Sequence, residues 1–387
     1  MKNTVFIASR LRFRRRIVTA SIAVSYMVMI IAMAVSSGFR SEVRDALSQM
    51  GGDIQLCPSN LNFLDEAQPV DASVAYLPLL KKVRGVESVE PVVYRAGIVK
   101  TGDDIHGVVV KGVQTGDSVA LNVSIPRRLS EMGGIAVGDK MLTYFVGEKV
   151  KARSFKVASV YDPVIQTDER LVVYADIKDM QRLNGWSADQ ASMLEIKMKP
   201  NHRDEAEIEE ATQEVGFIAY SYSSDDHSSV FASSTLSRYP QLFDWLDLLD
   251  FNVLFVLVLM MIVAGFNMIS GLLITLFENI STIGVFKAMG MKDRSIAKVF
   301  LTSSAATVLK GMLIGNAAAI LFCILQDKLQ ILKLDPTNYF VSFVPVDINA
   351  FSILAVDMIS LAVIMLLLLI PCAFISKVDP ADTVRVR

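Results

Sequence analysis

Four stretches of this chain are apolar over membrane-spanning length: Ile17–Val35, Asn252–Phe277, Phe300–Leu325 and Ala350–Pro371. From Asn252 to Phe277 there is no charged side chain. At about 1.5 Å per helical residue that run exceeds a hydrocarbon core of about 30 Å. Beyond Val35 the helical pattern continues through SSGFRSEVRDALSQM to Gly51-Gly52, a helix stop. One long helix is expected there, its outer part standing clear of the bilayer. A cleaved signal peptide shares the Arg-rich flank and apolar core, but this run is longer than its usual apolar segment. Before the second apolar stretch, Ser233–Asp250 is amphipathic around Tyr239, Leu242, Phe243, Leu246 and Leu249. It reads as a returning stalk.

Residues 53–235 have a different period. Short runs rich in Val, Ile and Tyr alternate with Gly-Asp or Thr-Gly turns, as in RAGIVKTGDD, HGVVVKGV and RLVVYAD. Two helix-then-strand units, LPLLKKVRGVESVEPVV and DEAEIEEATQEVGFIAYSY, suggest a weak internal duplication around a β-rich insert. Thr143–Val157 reads as a hairpin turning at Gly147-Glu148 with Lys149, Lys151, Arg153 and Lys156 on the return.

Charge adds orientation. Residues 1–16 carry Lys2, Arg10, Arg12, Arg14, Arg15 and Arg16 and no acid, whereas residues 40–250 carry 22 basic and 32 acidic side chains, a net of −10. A basic flank inside and an acidic domain outside follow the positive-inside rule. A nucleic-acid reading of RLRFRRR is poor, because the first span follows at once. Cys57, Cys323 and Cys372 make no disulfide framework, and His106, His202 and His227 lack ligand-like spacing, so no metal site is expected.

The stretch after the second span is the most informative. NISTIGVFKAMG places Ile280, Ile283, Val285, Phe286 and Met289 at mixed three and four spacing with Lys287 beside them, and then KDRS starts a new helix. This suits a short helix lying against a partner at the membrane face, or an amphipathic linker resting on lipid. VAGFNMISGLLITLFENISTIGVFKAMGMKDRSIAKVF resembles the second transmembrane helix and coupling helix of the lipoprotein-releasing permeases of the LolC/LolE type, within the wider FtsX/MacB-like group. Ala264, Phe266, Asn267, Ile269, Ser270, Glu278, Ile283, Lys287, Gly290, Asp293, Ile296 and Phe300 carry the likeness. Thr282 stands where that family usually has an acid. AVSSGFRSEVRDAL resembles the family's entry, with Ser37 in place of Asn, and Pro380, Ala381, Val384 and Arg385 match its closing tail.

The resemblance implies a membrane protein of four transmembrane α-helices with a large α+β periplasmic domain inserted between helices 1 and 2, a MacB-like periplasmic core. The expected layout is a cytoplasmic basic N-terminus (1–16), helix 1 (17–38), a periplasmic domain with stalks (39–250), helix 2 (251–277), coupling helix and loop (278–298), helix 3 (299–325), periplasmic loop (326–349), helix 4 (350–371) and cytoplasmic tail (372–387). That is a multi-pass protein of a bacterial inner membrane with both termini cytoplasmic.

No G-x-x-x-x-G-K-[ST] occurs, and no Ser/His/Asp, Cys/His or paired-carboxylate set stands out, so no catalysis and no cofactor are expected in this chain. ATP and Mg would be bound by a separate LolD-like ABC ATPase. By resemblance, Glu278, Ile283, Phe286, Lys287 and Met289 would meet that ATPase. Tyr26, Met29, Met33, Val256 and Met260 would form a lipid-facing wall for a lipoprotein substrate. The other implied partners are a second permease copy or homologous permease, membrane lipids, and a LolA-like carrier at the hairpin of Phe145, Lys149, Lys151 and Arg153. A plain hairpin with solvated lysines stands beside that last reading.

Two charges lie inside spans, Lys310 and Asp357. Their depths differ by about 5 Å, within reach of a lysine stem, so an intramembrane ion pair is expected. Snorkelling of Lys310 with Asp357 near the headgroups is the competing reading. Gly311 and Gly315 make a small-xxx-small face for close helix packing. Two alternatives of function stay open: a MacB- or FtsX-like mechanotransmission permease driving a periplasmic partner or another efflux, and a sensor that signals inward.

Overall fold

The computed structural model describes residues 15–58, 69–102, 104–114, 120–147, 150–162, 171–222, 230–335, 341 and 343–373. The basic residues up to position 14, Glu148 and Lys149 of the hairpin turn, and Pro380, Ala381, Val384 and Arg385 of the tail lie outside them. In chain order the elements are α1 (Arg15–Gly51), β1 (Ile54–Pro58), β2 (Val70–Asp71), α2 (Leu77–Leu80), β3 (Val86–Thr101), β4 (Asp104–Val113), β5 (Asn122–Pro126) and α3 (Arg127–Gly133). They continue with β6 (Lys140–Phe145), β7 (Lys151–Tyr161), β8 (Leu171–Asp176), α4 (Ile177–Asn184), β9 (Gln190–Ala191), β10 (Met193–Met198), α5 (Glu205–Ser221), β11 (Val230–Ser234) and α6 (Thr235–Arg238). Last come α7 (Pro240–Glu278), α8 (Ile280–Ala288), α9 (Asp293–Leu329), α10 (Ala350–Leu367) and α11 (Leu369–Cys372). The chain divides into two units: one of Glu42–Asp244 with Leu334–Ser342, the other of the remaining residues.

Among the described residues four helices are long and apolar enough to cross a membrane, and their apolar parts lie in the helical unit. Returning stalk and second span are one continuous helix, α7, started by Pro240, whose fixed φ suits a first helical position. Close approaches set the packing. A Cβ on Gly311 would meet the Ile22 side chain, and one on Gly315 would run into the Ala23 carbonyl oxygen, so the small-residue face of α9 receives α1. The core there is built from Ile22, Tyr26 and Met29 of α1, Ala264, Met268 and Leu272 of α7, Phe300 and Val308 of α9, and Ile364 of α10.

The other unit is α+β. Its nine-stranded sheet runs β11-β1-β10-β3-β4-β8-β5-β7-β6, and β3 also pairs with β6. Strands β11-β1-β10-β3 are antiparallel to one another. Two crossovers, β1-α2-β3 and β10-α5-β11, interdigitate in them, which is the split βαβ arrangement of ferredoxin-like folds. Leu80 of α2 and Ile208, Ala211, Val215 and Ala219 of α5 pack with Ile54, Leu56, Ile196 and Met198. Helix α5 corrects one expectation: GFIAY is not a strand but the end of the helix, because Ile208, Ala211, Val215 and Ala219 keep a spacing of three to four into the core. The strand follows at Val230.

Beyond β3 the β-rich insert closes on itself. Ile98 pairs with Tyr144 and Val99 with Thr143, so β3-β4-β8-β5-β7-β6 form a six-stranded barrel. Alternate side chains such as Val99, Val110, Val123, Met141, Phe145, Phe155, Val157 and Val173 fill its interior. Sixteen-residue β3 serves both parts.

Candidate functional site

Helix α1 runs from the helical unit, up to Ser41, into the α+β unit, from Glu42, and each unit holds its own part of it. Three sets of contacts do so, and the short helix α8 supplies a fourth feature.

Within the apolar part, Asn267 of α7 donates through Nδ2 to Ser21 Oγ at 2.5 Å. Ser360 of α10 donates to the Tyr26 hydroxyl at 2.8 Å. A second set lies farther along α1. Arg40 forks onto Asp247 and Asp250 of α7, 2.6 Å to each, and Ser36 also hydrogen-bonds Asp250. Phe39 meets Trp245 edge to face with ring centroids 6.2 Å apart. Gly38 lies against the backbone of Pro345 and Val346, where a Cβ would stand 2.6 Å from Pro345. Ser37 donates to Asp347, and the Asp347 N–H donates to the Ala34 carbonyl.

The third set holds the end of α1 in the α+β unit. A helix leaves its last carbonyls unpaired and carries partial negative charge there. Lys111 Nζ donates to the Met50 carbonyl at 2.6 Å, Gln55 Nε2 to that of Gly51 at 2.9 Å, and Arg238 to those of Gly51 and Gly52 at 3.2 and 2.7 Å. Lys111 is 2 % exposed and pairs with equally buried Glu195 at 2.7 Å, while Tyr94 donates to the other Glu195 oxygen at 2.7 Å. Burial pulls the Lys111 ammonium below its ordinary range against the pull of Glu195, and burial pushes the Tyr94 phenol well above its own. Asp53 completes the socket. It accepts from Ser48 Oγ at 2.9 Å and from the Met198 N–H at 2.7 Å, and Arg203 ties it to Asp45. Burial raises the Asp53 carboxyl despite those donors.

Helix α8 divides the predicted ATPase-contact residues. Ile283, 2 % exposed, is part of the core, Phe286 packs against it, and Lys287 pairs with Asp293 at 3.1 Å. Asp293 is the first residue of α9, whose N-cap is Lys292. Glu278, Thr282 and Met289 face outward, Met289 being 70 % exposed. Val285, not singled out from sequence as a contact, is exposed beside them. Short helices have only two sides, and periodicity alone does not say which is covered.

The remaining predicted residues separate in the same way. Tyr26 and Met29 are not on a lipid-facing wall. Both are fully buried in the helical core, Tyr26 against Gly315 of α9. Met33, Val256 and Met260 are half-buried. Outward on α7 stand Phe255, Leu259, Ile262 and Phe266. Lys310 and Asp357 do not pair: Lys310 is exposed on α9, and Asp357 accepts from Asn316 Nδ2 at 2.6 Å. Asn316 lies six residues past Lys310, about 9 Å along the axis and on the inward side. In the hairpin, Phe145 is buried against Phe155, Lys151 donates to the Leu183 carbonyl, and Arg153 is exposed. No group of His, Cys, Asp and Glu that could hold a metal occurs among the described residues.

Comparison with known proteins agrees with this architecture. Residues 17–247 match the MacB-like periplasmic core domain, and residues 254–380 match the FtsX-like permease C-terminal family. The lipoprotein-releasing system transmembrane protein LolC of Xylella fastidiosa (strain 9a5c) is 20% identical over 395 residues, covering 94% of this chain and 92% of that one. LolC of Neisseria meningitidis serogroup B is 20% identical over 407 residues, covering 95% and 92%. Among solved structures, the periplasmic region of MacB from Actinobacillus actinomycetemcomitans is 14% identical with a TM-score of 0.33, covering 50% of this chain and 93% of that one. With its first family match extending over more than half of its residues, the chain belongs to the MacB-like periplasmic core family, continued by an FtsX-like permease part, and is an ABC-transporter permease of the inner membrane with a periplasmic domain.

Proposed function

We propose that this permease extracts lipoproteins from the inner membrane and passes them outward, driven by a separate LolD-like ABC ATPase that binds ATP and Mg. The full-length likeness to LolC proteins, named for a lipoprotein-releasing system, carries the reading. Glu278 at the end of α7, Thr282 and Val285 of α8 and Met289 just after it form the face offered to the ATPase, and Ile283, Phe286 and Lys287 tie α8 to the helical core. Both chain termini lie in the cytoplasm in this reading. Closure of the ATPase moves α8, and Asn267 hands the movement from α7 to α1. The socket of Lys111, Gln55 and Arg238 ties the end of α1 to the periplasmic domain. The exposed α7 face of Phe255, Leu259, Ile262 and Phe266, flanked by Val256 and Met260, meets the acyl chains together with a second permease copy or a homologous permease. A LolA-like carrier then receives the lipoprotein.

Mechanotransmission to a different periplasmic partner is the second reading, supported by the MacB-like core and the continuous helix α1. A detergent pull-down of the tagged protein from its native membrane, with mass spectrometry of proteins and acylated peptides, separates them. An ATPase recovered with diacyl or triacyl lipoproteins supports release. An ATPase with a periplasmic protein and no lipoprotein supports the second reading, and no ATPase sinks both.

A further inference from the structure

Asp357 is 7 % exposed in the helical unit, on a helix without another acid or base. Among the described residues its one side-chain partner is the Asn316 carboxamide, 2.6 Å from Oδ2. Two oxygens at this contact, Asp357 Oδ1 and Asn316 Oδ1, are buried with no hydrogen-bond partner. The neighbouring Ser360 hydroxyl is committed elsewhere. Ser360 Oγ lies 2.8 Å from the Tyr26 hydroxyl and 3.1 Å from the Asp357 backbone carbonyl. Among the described residues Tyr26, from α1, is the one titratable side chain hydrogen-bonded into this group, and Lys310 of α9 faces outward.

An ionised carboxylate in such a place would have one neutral amide to offset the loss of water, which is too little. A carboxylate so poorly compensated is held by a proton or by a cation. A cation of the hard, oxygen-binding kind takes about six ligands, and two free oxygens are far fewer. One acceptor is enough to hold a proton, and the Asn316 carboxamide, 2.6 Å away, can supply it. A half-turn of the carboxamide exchanges its N and O atoms. The acid O–H then donates to the Asn316 carbonyl, and only neutral groups are left uncompensated.

We infer that Asp357 is an intramembrane proton-binding site, with Asn316 as the acceptor that holds the proton. Ser360 stands one turn from Asp357 and joins α10 to Tyr26, so this seam links α1, α9 and α10. The bound proton keeps the seam neutral and closed, and losing it would place a charge between three packed helices. This holds whether or not lipoproteins are the cargo.

The test uses the full chain in lipid nanodiscs, carrying ¹³C-carboxyl aspartate, with infrared spectroscopy and thermal unfolding. At pH 7 a protonated-carboxyl carbonyl band is expected in the wild type and absent in Asp357→Asn. Asp357→Asn replaces O–H by N–H donors and should keep the unfolding midpoint within about 2 °C. Asp357→Ala leaves Asn316 unpaired and should lower it by more. Absence of the band from the wild type overturns the proposal, as does a band left unchanged in Asp357→Asn. So does an Asp357→Asn midpoint as low as that of Asp357→Ala, which would mean the charge is required. A midpoint raised by sodium and indifferent to mild acid would assign the oxygens to a cation instead.

Discussion

Lys111 Nζ donates to the Met50 carbonyl at 2.6 Å, so a barrel strand cation caps the last turn of the helix that begins at Arg15. The same ammonium pairs with Glu195, and both side chains are almost wholly buried. A cation at a helix C-terminus is favoured by the helix dipole, and here burial strengthens the attraction.

Removing one partner of this buried pair strands the other charge. Lys111→Met should cost about 3–5 kcal/mol, whereas Lys111→Met with Glu195→Leu should recover most of that stability. The Met50 carbonyl stays uncapped in both. Chemical denaturation reads the stability, and hydrogen exchange at residues 50–52 should be faster in the double variant than in wild type. Unchanged exchange there would show that Lys111 does not hold the helix end.

Opposite sides of α8 should respond differently to charge. Ile283→Asp buries an unpaired carboxylate in the helical core and should destabilise the whole unit. Val285→Asp and Met289→Asp place the charge on the outward face and should leave the unfolding midpoint within about 2 °C while reducing co-purified ATPase. Equal loss of folding in all three would remove the distinction.

Gly38 has no room for a side chain. Because its neighbours are the Pro345 and Val346 backbones, Gly38→Val should cost about 1–3 kcal/mol by overpacking. Gly102→Val, where nothing lies within 4 Å of an added Cβ, tests the contrast between crowding and the strain of its φ of 60°. A Gly38→Val midpoint equal to wild type would refute the crowding.

Cys57 is buried in β1, and burial pushes its thiol up to about 11. At pH 8 its thiolate fraction is about 100-fold below that of an ordinary cysteine, so alkylation should be slow until the domain unfolds. Fast alkylation of the native protein at that pH would contradict the burial.

Asp162 and Asp53 should act oppositely in acid. The hydrogen bond and charge of Arg127 hold Asp162 below the ordinary carboxylate range, so its contribution is complete above about pH 4 and is lost as pH falls through its lowered value. Desolvation lifts Asp53 above that range, so protonation relieves a burden and its contribution grows as pH falls through the raised value. Asp162→Asn should flatten the acid limb of stability against pH, and Asp53→Asn should raise stability near neutrality relative to acid. A loss at every pH would mean that Asp53 acts through its hydrogen bonds with Ser48 and Met198.

Much of the architecture was legible in the order of residues. Apolar runs long enough to span a bilayer, a helical pattern unbroken to Gly51-Gly52, and period-two strands between turns are local features, and local physics reads them. Gly311 and Gly315 announced a close helix contact because small residues at that spacing have that use. What the sequence left open was direction and partnership. Tyr26 and Val256 look alike as apolar-span residues, yet one is packed against Gly315 and the other half-exposed. Lys310 and Asp357 had compatible depths, but rotation about the α9 axis turned Lys310 outward and brought Asn316 to the acid. The β3–β6 closure and the Lys111–Met50 contact join residues far apart in the chain, which no local pattern encodes. Periodicity determined which elements form. Only their packing decided which side of each is buried, because that depends on what the other elements bring to it.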